Sequence, residues 1–516
     1  MNRSEKRKQR EYSYVKTFMR FSIIFLLFLV DLAIILVGSY LLNHYIVYLY
    51  ALVELLSIIV MIPLIASDRN AAYKLYWLGV ALVLPIAGHA MYLFWGRSVI
   101  NRKAHREIQR AIDKANECQI MNPELITKLS DEDADKGKIA NYLYNQNYPL
   151  YENTAVTYFE VGERFFEDVE EKLKSADKYI FISFFIIADG SIWERYTKIL
   201  EEKLSQGVKI YIMFDDTGSF MQMSDTSIKE LKKKGFHVLI FNPVEKSYHR
   251  LFFNYRNHQK ILVVDGKYAY TGGINISDRY ANIVSPYGHW KDTGLRLEGD
   301  AIYGLQLIFI GMWNASGGNI HIDHFPIEKR LIPNGTYCQP FADGPSNNPE
   351  NPAMDMFMQV ISNAKEHVNI MTPYLIIDDT MQDILCLAAK SGIKVRLITP
   401  GTPDKKIVRH LTVVHYGPLL RAGVEIYEYT PGFLHAKHCT NEFSAIVGTI
   451  NMDFRSFYTH FENGIWIPSG DVLKDIDDDF ERTIAVSKRI TYEEWQNRPW
   501  TEKLLQAFLY FFKCHF

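Results

Sequence analysis

Asn257-His258-Gln259-Lys260 is one of two copies of the same short pattern in this chain, and the second is Leu434-His435-Ala436-Lys437. A turn of small residues that ends in asparagine follows each copy, first at Gly272-Gly273-Ile274-Asn275 and then at Gly448-Thr449-Ile450-Asn451. The histidine precedes the asparagine by 17 positions in the first copy and by 16 in the second. A single His-x-Lys arises by chance on surface strands, but the doubled arrangement indicates an internal repeat with one functional group in each half.

The predicted elements that precede the motifs repeat as well. Before each motif come a helix, an apolar strand, a second helix, a turn with glycine and a second apolar strand. These elements span Phe165 to Phe214 in the first copy and Met358 to Ile398 in the second. A third helix and a third strand, Val238 to Phe241 or Ile426 to Tyr429, then lead towards the histidine. Short apolar strands that alternate with helices are typical of parallel βαβ units, so we expect two similar α/β halves whose equivalent sites face each other.

The residue types in the motifs suit phosphate chemistry. Residues two apart in a strand share a face, so we expect His258 to project with Lys260, and His435 with Lys437. Lysine supplies a compact cation for phosphoryl oxygens, while an imidazole acts as a nucleophile or a proton donor. The small-residue turn lets backbone and asparagine amide groups approach the same oxygens.

Three long apolar stretches lie in the first hundred positions, Phe21 to Leu42, Tyr45 to Ala66 and Leu75 to Trp95. Each is long enough to cross ~30 Å of hydrocarbon as a helix. A signal peptide is the alternative for the first stretch, but it is too long, lacks a small-residue cleavage site and directly precedes another apolar stretch. We predict a membrane segment with two or three apolar helices. Asp31 and Glu54 interrupt the first two stretches and receive no function, because protonation or interhelical pairing accounts for them equally well.

The basic residues at the two ends of this segment conflict. Those before Phe21 and those from Arg97 to Arg110 both favour the cytoplasmic side, and three full crossings cannot satisfy both. Either the third stretch is re-entrant or interfacial, with Pro85 breaking it, or one basic cluster lies on the other side. The number of crossings stays open at this point.

Charge and cysteine content exclude several other classes of function. The net charge of −2 lacks the basic footprint expected of a protein that binds nucleic acid. The five cysteines are scattered without a Cys-x-x-Cys pair, which argues against a zinc or redox centre and for free thiols in a reducing compartment. We predict no metal ion, no cofactor and no nucleic-acid partner.

A family likeness follows from these motifs. His-x-Lys-x4-Asp followed by Gly-Gly/Ser-x-Asn in both halves is the signature of the phospholipase D superfamily, which the chain resembles over nearly its whole length. Within that superfamily it is similar to the bacterial cardiolipin synthases. The further strings that carry the likeness are Tyr73-Lys74-Leu75, Asp215-Asp216-Thr217-Gly218-Ser219, Arg256-Asn257-His258, Trp290-Lys291-Asp292-Thr293 and Asn451-Met452-Asp453-Phe454-Arg455-Ser456.

The resemblance implies an α/β fold of two similar phospholipase D-like halves packed together, preceded by an N-terminal helical membrane segment. Residues 1–100 would form that segment and residues 101–147 a polar helical connector. The first half would occupy residues 148–328, and the second residues 329–516 with a C-terminal amphipathic helix.

The resemblance also implies an activity, a reversible transfer of a phosphatidyl group from one phosphatidylglycerol to another that gives cardiolipin and glycerol. His258 would be the nucleophile that forms a phosphohistidine, while His435 would protonate the leaving alcohol and deprotonate the acceptor. Two lysines and two asparagines would hold the phosphoryl oxygens, namely Lys260, Lys437, Asn275 and Asn451. The expected partners are phosphatidylglycerol, cardiolipin and the lipid bilayer. We expect a multi-pass protein of the bacterial cell membrane whose catalytic part faces the cytoplasm.

One position departs from the family signature. Asp265 supplies the expected aspartate in the first half, where the resemblance gives it a supporting role in the catalytic site. The second half has no aspartate there. Counting forward from His435 gives Glu442 as the replacement, while counting back from Gly448 gives Asn441.

Two other functions remain open at the level of sequence. The same fold with water or a different alcohol as acceptor would be a phospholipase D or another phosphatidyltransferase, and the shape of the acceptor pocket decides between them. The irregular second motif also permits a catalytically inactive paralogue retained as a membrane scaffold. Against the scaffold, both histidines, both lysines and both asparagines of the repeat are present.

Overall fold

Twenty strands lie in the part of the chain that the computed structural model describes, which comprises residues 22, 25–31, 33, 44–84, 86–96, 102–219, 222–243, 255–346 and 350–516. In chain order they are β1 Tyr151–Phe159, β2 Tyr179–Phe184, β3 Lys209–Asp215, β4 His237–Phe241, β5 Arg256–Asn257, β6 Ile261–Val264, β7 Tyr268–Gly272, β8 His289–Lys291, β9 Gly294–Gly299, β10 Thr336–Asp343, β11 His367–Met371, β12 Leu375–Ile376, β13 Lys394–Pro400, β14 Glu425–Tyr429, β15 Gly432–Leu434, β16 His438–Asn441, β17 Ser444–Gly448, β18 Met452–Asp453, β19 His460–Ile467 and β20 Ser487–Ile490. Sixteen of these strands form one mixed sheet. The remaining four form two small sheets, β8 with β15 and β12 with β18.

Within the large sheet the same order of strands occurs twice. The first half follows the order β4, β3, β2, β6, β7, β9 and β1, and the second half follows β14, β13, β11, β16, β17, β19 and β10. The central strands β1 and β10 pair antiparallel, with Tyr151 opposite Cys338, and so join the two series. The prediction of an α/β fold is confirmed, and the strand order contains the repeat that the motifs indicated.

Parallel βαβ units, which the sequence predicts, account for only part of each half. β2, β3 and β4 are parallel to one another, as are β11, β13 and β14. The strands that follow the histidine motifs are antiparallel, because short hairpins join β6 to β7 and β16 to β17. A parallel pair needs a long crossover connection, which these hairpins are too short to provide.

Helices occupy most of the connections between strands. The α-helices are His44–Ile65, Ala71–Val83, Ala87–Met91, Arg102–Asn116, Pro123–Glu132, Ala134–Asn145, Gly162–Lys174, Ser191–Ser205, Asp216–Ser219, Asp225–Lys234, Ile302–Ala315, Pro352–Ser362, Asp379–Lys390, Lys406–Ala422, Phe454–Tyr458, Val472–Ala485, Tyr492–Gln496 and Trp500–Tyr510. A π-helix, Tyr92–Gly96, and two 3-10 turns, Ile322–His324 and Lys513–His515, accompany them. Gly235 and Gly423 end equivalent helices of the two halves at φ of 103° and 100°, a conformation that glycine adopts without strain.

One hydrophobic core extends from the first half into the second. The helix Ile302–Ala315 is buried along most of its length and packs Phe309 against Phe181 of β2, with ring centroids 4.5 Å apart. Val447 of β17 and Ile465 of β19 belong to the same buried cluster. Each such side chain stabilises the fold by roughly 1.5–3 kcal/mol through burial. The two halves therefore share apolar packing as well as strand pairing, and residues from both are held in one frame.

The stretch predicted as a polar connector is helical, and it packs against the second half. Its helices Pro123–Glu132 and Ala134–Asn145 bury Leu129, Ile139 and Leu143 in the cluster that also contains the inner side chains of β10 and β11. The polar composition that suggested a linker belongs to the outward faces of these helices.

Residues 1–105, 242–254 and 511–515 form a unit of their own. Within it, Asp31 accepts hydrogen bonds from the backbone N–H groups of Ile86 and Ala87 at 3.2 and 2.9 Å, which gives this carboxylate a structural role. None of the helices among the described residues combines the length and the apolarity that a membrane crossing needs. The basic residues before position 22, most of the first apolar stretch, Pro85 and the side chain of Glu54 lie outside the described residues.

Candidate active site

The two His-x-Lys motifs lie where the backbone crosses between the halves. The motif residues 258–260 form an extended link between β5 and β6, and residues 435–437 form the equivalent link between β15 and β16. β5 pairs with β19 of the second half, and β15 pairs with β8 of the first. The sequence predicts the motif residues on strands, but they lie in the links between strands. The strand before each motif pairs with the opposite half of the chain, and the strand after it pairs with its own half, so the backbone changes partner at the motif.

A carboxylate from the second half fixes the first-half histidine. The backbone N–H of His258 donates to the carbonyl of Phe461 at 2.9 Å, and its Nδ1 lies 2.9 Å from both carboxylate oxygens of Glu462. Two hydroxyl groups hold that carboxylate in turn. The Ser456 hydroxyl donates to it at 2.8 Å, and the Thr449 hydroxyl donates to its other oxygen.

The equivalent arrangement with the halves exchanged fixes the second histidine. The backbone N–H of His435 donates to the carbonyl of Lys291 at 2.7 Å, and its Nδ1 lies 2.6 Å from Oδ2 of Asp292. The other oxygen of Asp292 accepts the backbone N–H of Thr293 at 2.8 Å. A Cβ at Gly273 would lie only 2.1 Å from that oxygen, so the glycine of the first motif makes room for the carboxylate.

Both imidazoles are held neutral with the same nitrogen free. A carboxylate oxygen accepts, so Nδ1 carries the ring proton in His258 and His435 and leaves the lone pair on Nε2. Burial, reinforced by the charge of the neighbouring motif lysines, holds the pKa of both histidines well below the usual value. Burial also raises the pKa of Asp292 to about 7. A neutral imidazole with a free Nε2 is the form that attacks phosphorus.

The motif lysines are buried beside the imidazoles. The Lys260 ammonium donates to the carbonyl of His258 at 2.7 Å, and that of Lys437 donates to the carbonyl of His435 and lies 2.9 Å from its Nδ1. Only 1% of the surface of each lysine is exposed. Burial lowers the pKa of Lys260 to about 7 and that of Lys437 to about 8. The lowered pKa values show that burying these two positive charges is unfavourable, and a bound phosphodiester anion would offset that free energy. The two lysines therefore favour the binding of a phosphate group.

The two asparagines of the motifs differ in how far their amides are already bonded. Asn275 donates from Nδ2 to the Tyr280 hydroxyl at 2.8 Å and accepts the backbone N–H of Ile186 at 3.0 Å. Asn451 donates to Asp453 at 3.0 Å, while its Oδ1 is buried without a hydrogen-bond partner among the described residues. Their predicted contact with the phosphoryl oxygens remains a prediction.

Asp265 and Glu442 occupy equivalent places, away from the imidazoles. Asp265 accepts the three backbone N–H groups that lead into β2, at 2.7, 2.8 and 2.8 Å. Glu442 accepts the three that lead into β11, at 2.7, 3.4 and 3.5 Å. Asn441 instead caps its own hairpin through Ser444. Of the two candidate replacements for the missing aspartate, Glu442 is the one with the matching contacts.

Asp215 fixes the backbone just before His258. Its Oδ2 accepts the backbone N–H of Asn257 at 3.0 Å, and its Oδ1 lies 3.6 Å from the buried guanidinium of Arg256. Burial raises the pKa of Asp215 to about 7. This carboxylate therefore anchors the strand that delivers the histidine.

One group of metal-type ligands is present among the described residues. Nitrogen or oxygen atoms of His258, His460 and Glu462 lie within 4.8 Å of one another. The charges of Lys260 and Arg455 both act on the His258 imidazole and lower its pKa. Such a cationic surrounding favours an anion over a metal ion at this place.

Neither carboxylate belongs to the two His-x-Lys motifs or to the turns that follow them. Asp292 lies in the family string Trp290-Lys291-Asp292-Thr293, and Glu462 lies outside all of the strings that carry the family likeness. The separation from the motif asparagine differs, because Asp292 follows Asn275 by 17 positions and Glu462 follows Asn451 by 11. The sequence nevertheless contains one pattern that marks both carboxylates, because each stands two positions before a glycine, Gly294 or Gly464. Those glycines lie opposite the motif glycines of β7 and β17 in the neighbouring strands.

A repeated α/β half with a carboxylate-fixed histidine in each copy defines a phosphoryl-transfer enzyme of the phospholipase D class. The family model described as cardiolipin synthase, PLD-like domain, matches residues 169–284 and 357–484, and a phospholipase D-nuclease N-terminal model matches residues 46–97. In fold, the chain is similar to phosphatidylserine synthase from Haemophilus influenzae, with a TM-score of 0.56 and 14% identity over 74% of this chain and 100% of that one.

Curated relatives narrow the class. The chain is 31% identical to cardiolipin synthase from Halalkalibacterium halodurans over 88% of its own length and 91% of that protein. It is 32% identical to cardiolipin synthase 1 from Staphylococcus aureus over 88% of its length and 94% of that protein. The chain belongs to the cardiolipin synthase family of the phospholipase D superfamily and is a phosphatidyltransferase.

The first prediction concerns the carboxylate behind His258. In Glu462→Gln an amide N–H can donate to Nδ1, which moves the ring proton to Nε2 and removes the attacking lone pair. We expect the rate of phosphatidyl transfer to fall about 10²- to 10⁴-fold with the fold intact. Glu442→Gln is the matched comparison, because its carboxylate accepts backbone N–H groups at the start of β11 and lies away from the imidazoles, so this substitution should lower the midpoint of thermal unfolding and not the rate. An equal loss of rate in both variants would contradict the assignment.

The second prediction concerns pH. Because Lys260 and Lys437 have lowered pKa values of about 7 and 8 and Asp292 has a raised pKa of about 7, the net charge of the empty site becomes more negative as pH rises through 7 and again through 8. Tungstate keeps its charge in this range, so its affinity, measured by calorimetry, should fall about tenfold or more per pH unit above pH 7 and more steeply above pH 8. In Lys260→Arg the guanidinium stays charged, so the fall near pH 7 should become shallower, because Asp292 still titrates there, while the step near pH 8 should remain. Constant affinity from pH 6.5 to 9 would contradict the lowered pKa values.

Proposed function

We propose that this protein joins two molecules of phosphatidylglycerol, giving cardiolipin and glycerol, through a phosphohistidine formed at His258. The observation that carries the proposal is the pair of buried imidazoles, each with Nδ1 bonded to a carboxylate of the opposite half and with Nε2 lacking a hydrogen-bond partner in the part of the chain that the structure describes. Two such groups provide a nucleophile and a separate proton donor, which a double displacement at phosphorus requires.

In the first step Nε2 of His258 attacks the phosphorus of one phosphatidylglycerol. A phosphorus–nitrogen bond forms, the bond from phosphorus to the glycerol oxygen breaks, and His435 gives its Nε2 proton to that oxygen. The anionic substrate favours the protonated form of His435, whose pKa burial lowers in the empty site. Lys260 and Lys437 stabilise the charge that spreads over the phosphoryl oxygens.

In the second step a hydroxyl of another phosphatidylglycerol attacks the phosphohistidine. His435 takes the proton of that hydroxyl, the new phosphorus–oxygen bond forms and the phosphorus–nitrogen bond breaks. Both enzyme groups return to their starting forms, so the same residues also carry the reverse reaction from cardiolipin and glycerol.

Association with the bilayer is the second part of the proposal. The apolar residues of the helix His44–Ile65 support it, since Ile58, Ile59 and Ile62 are more than half exposed. The C-terminal helix Trp500–Tyr510 supports it independently, because Trp500, Leu504 and Phe508 recur every four residues and are 74%, 64% and 63% exposed. An apolar stripe of this kind suits the boundary between head groups and acyl chains. We place the protein in the bacterial cell membrane as a multi-pass protein, with its catalytic part towards the cytoplasm.

The third prediction tests the reaction. The purified full-length protein in detergent, supplied with phosphatidylglycerol alone and a metal chelator, should form cardiolipin and glycerol in equal amounts by mass spectrometry. His258→Ala and His435→Ala should each lower the rate by roughly a thousandfold or more. Substrate labelled at phosphorus should leave an acid-labile label on the wild-type protein and none on His258→Ala.

Other outcomes would point to the alternatives. Phosphatidic acid as the main product would make water the acceptor. No product from folded protein would favour a scaffold, and a label that persists in His258→Ala would exchange the roles of the two histidines.

The fourth prediction tests the C-terminal stripe. Charges at Leu504→Asp and Phe508→Asp would have to enter the apolar boundary layer, so in proteoliposomes of phosphatidylglycerol and phosphatidylcholine this helix should be cleaved faster by protease in the double variant than in wild type. Glu502→Gln on the same helix provides the control, because it removes a charge outside the stripe. An unchanged rate of cleavage within this helix of the double variant would exclude the helix from the bilayer contact.

A further inference from the structure

Cardiolipin formation requires the site to hold two phosphodiesters at once, and the histidine–lysine centre neutralises only the reacting one. The acceptor phosphatidylglycerol carries its own phosphodiester three carbon atoms away from the hydroxyl that attacks. This second anion also needs a counter-charge at the edge of a buried site. Lys260 and Lys437 are already committed to the reacting phosphoryl group under the proposed function.

The direction of attack decides on which side that counter-charge must lie. Displacement at phosphorus is in line, with the attacking and leaving groups on opposite faces. With His258 as nucleophile on one face, both the leaving glycerol and the incoming acceptor occupy the face of His435. The second phosphodiester therefore lies beyond His435, and not beyond His258.

Aromatic rings form a wall around His435. The ring centroids of Trp290, Tyr280 and Phe433 lie 5.3, 5.4 and 5.9 Å from that of the imidazole. Tyr374 continues the wall, with its centroid 6.4 Å from that of Phe433. Such rings exclude water from the reacting hydroxyl and carry no charge, so the counter-charge must come from beyond them.

Two cations lie over the outer rings of this wall. The Lys405 ammonium is 5.1 Å from the ring centroid of Tyr374, and the Arg279 guanidinium is 6.0 Å from that of Trp290. Neither has an ion pair within the described part of the chain, although Arg279 donates to the Gln222 side chain at 3.2 Å. Their charges reach the reaction face, because both contribute to lowering the pKa of His435 after burial and the motif lysines.

A cleft beside Phe433 contains Lys405 and a carboxylate. Tyr374, Asp404, Lys405 and Phe433 are among its lining residues. The carboxylate of Asp404 accepts the Tyr374 hydroxyl at 2.8 Å and retains further acceptor capacity. A carboxylate so close to a bound phosphodiester needs a donor of its own, and the free secondary hydroxyl of a glycerol head group is such a donor.

We propose that Lys405 and Arg279 bind the phosphodiester of the acceptor phosphatidylglycerol beside His435, while Asp404 accepts a hydrogen bond from its secondary hydroxyl. This subsite rests on the proposed function and adds a reason for acceptor choice. An alcohol that carries a phosphodiester gains charge-assisted hydrogen bonds that a neutral alcohol lacks. The subsite thereby favours cardiolipin over the products of simple alcohols.

The fifth prediction is a competition between acceptors. Full-length protein in mixed micelles receives phosphatidylglycerol together with 1-butanol, and mass spectrometry measures the ratio of cardiolipin to phosphatidylbutanol. Lys405→Ala and Arg279→Ala should each lower this ratio about tenfold through the lost charge-assisted bond. Lys405→Arg should restore most of the ratio. Lys406→Ala, at the next position and also exposed, should keep the wild-type ratio.

Two results would overturn the subsite. The ratio would stay unchanged in Lys405→Ala and Arg279→Ala if neither residue contacts the acceptor. Cardiolipin and phosphatidylbutanol would fall together if the residues act only on folding or on the donor. Absence of both products from the wild-type protein would overturn the proposed function itself, and the subsite with it.

Discussion

Each motif histidine of this protein is held by a carboxylate from the opposite half of the chain. Glu462 fixes His258 and Asp292 fixes His435, in each case at Nδ1. The backbone reinforces the exchange, since each histidine N–H bonds to the carbonyl of the residue just before its carboxylate. Neither half alone supplies a correctly oriented imidazole. The continuous sheet and the shared core therefore hold each histidine at hydrogen-bonding distance from the carboxylate of the opposite half.

Burial of so many ionisable groups makes the empty centre electrostatically unfavourable. The lowered pKa values of Lys260 and Lys437 and the raised pKa of Asp292 express this cost, which is set mainly by loss of water. Charges in such surroundings act strongly on one another, so binding of a phosphodiester offsets much of the free energy that was lost when these groups were buried. Stability of the empty site is thus exchanged for affinity towards the reacting group.

The two halves are similar in frame but differ at the edges of the site. Gly273 leaves space for Asp292, whereas the equivalent Thr449 donates its hydroxyl to Glu462. Two positions before each carboxylate the side chains differ again. Trp290 packs 5.3 Å from His435, and His460 packs 5.3 Å from His258. These differences give the two imidazoles different surroundings, since Trp290, Tyr280 and Phe433 lie around His435, while His258 lies between Phe185 and His460.

The sequence by itself determined the repeat, the approximate helices and strands, and the histidines and lysines of the site. Local patterns fix such features, because hydrophobic periodicity sets an element and a spacing of two places His258 near Lys260 along one short segment. The stretch 101–147 is polar and helical as its composition indicates, while the packing of Leu129 and Leu143 in a core supplied by the rest of the chain is not visible in that composition.

Only the tertiary structure decided which carboxylates complete the site. His258 and Glu462 are 204 positions apart, and His435 and Asp292 are 143 apart. Their meeting depends on the pairing of β5 with β19 and of β15 with β8, which no local pattern specifies. The same holds for Glu442, whose function as the counterpart of Asp265 becomes visible only through the three backbone N–H groups at the start of β11. Contacts of this kind are made by strand pairing across the whole chain, so a short pattern such as acid-x-Gly can mark a carboxylate but does not tell which residue it contacts.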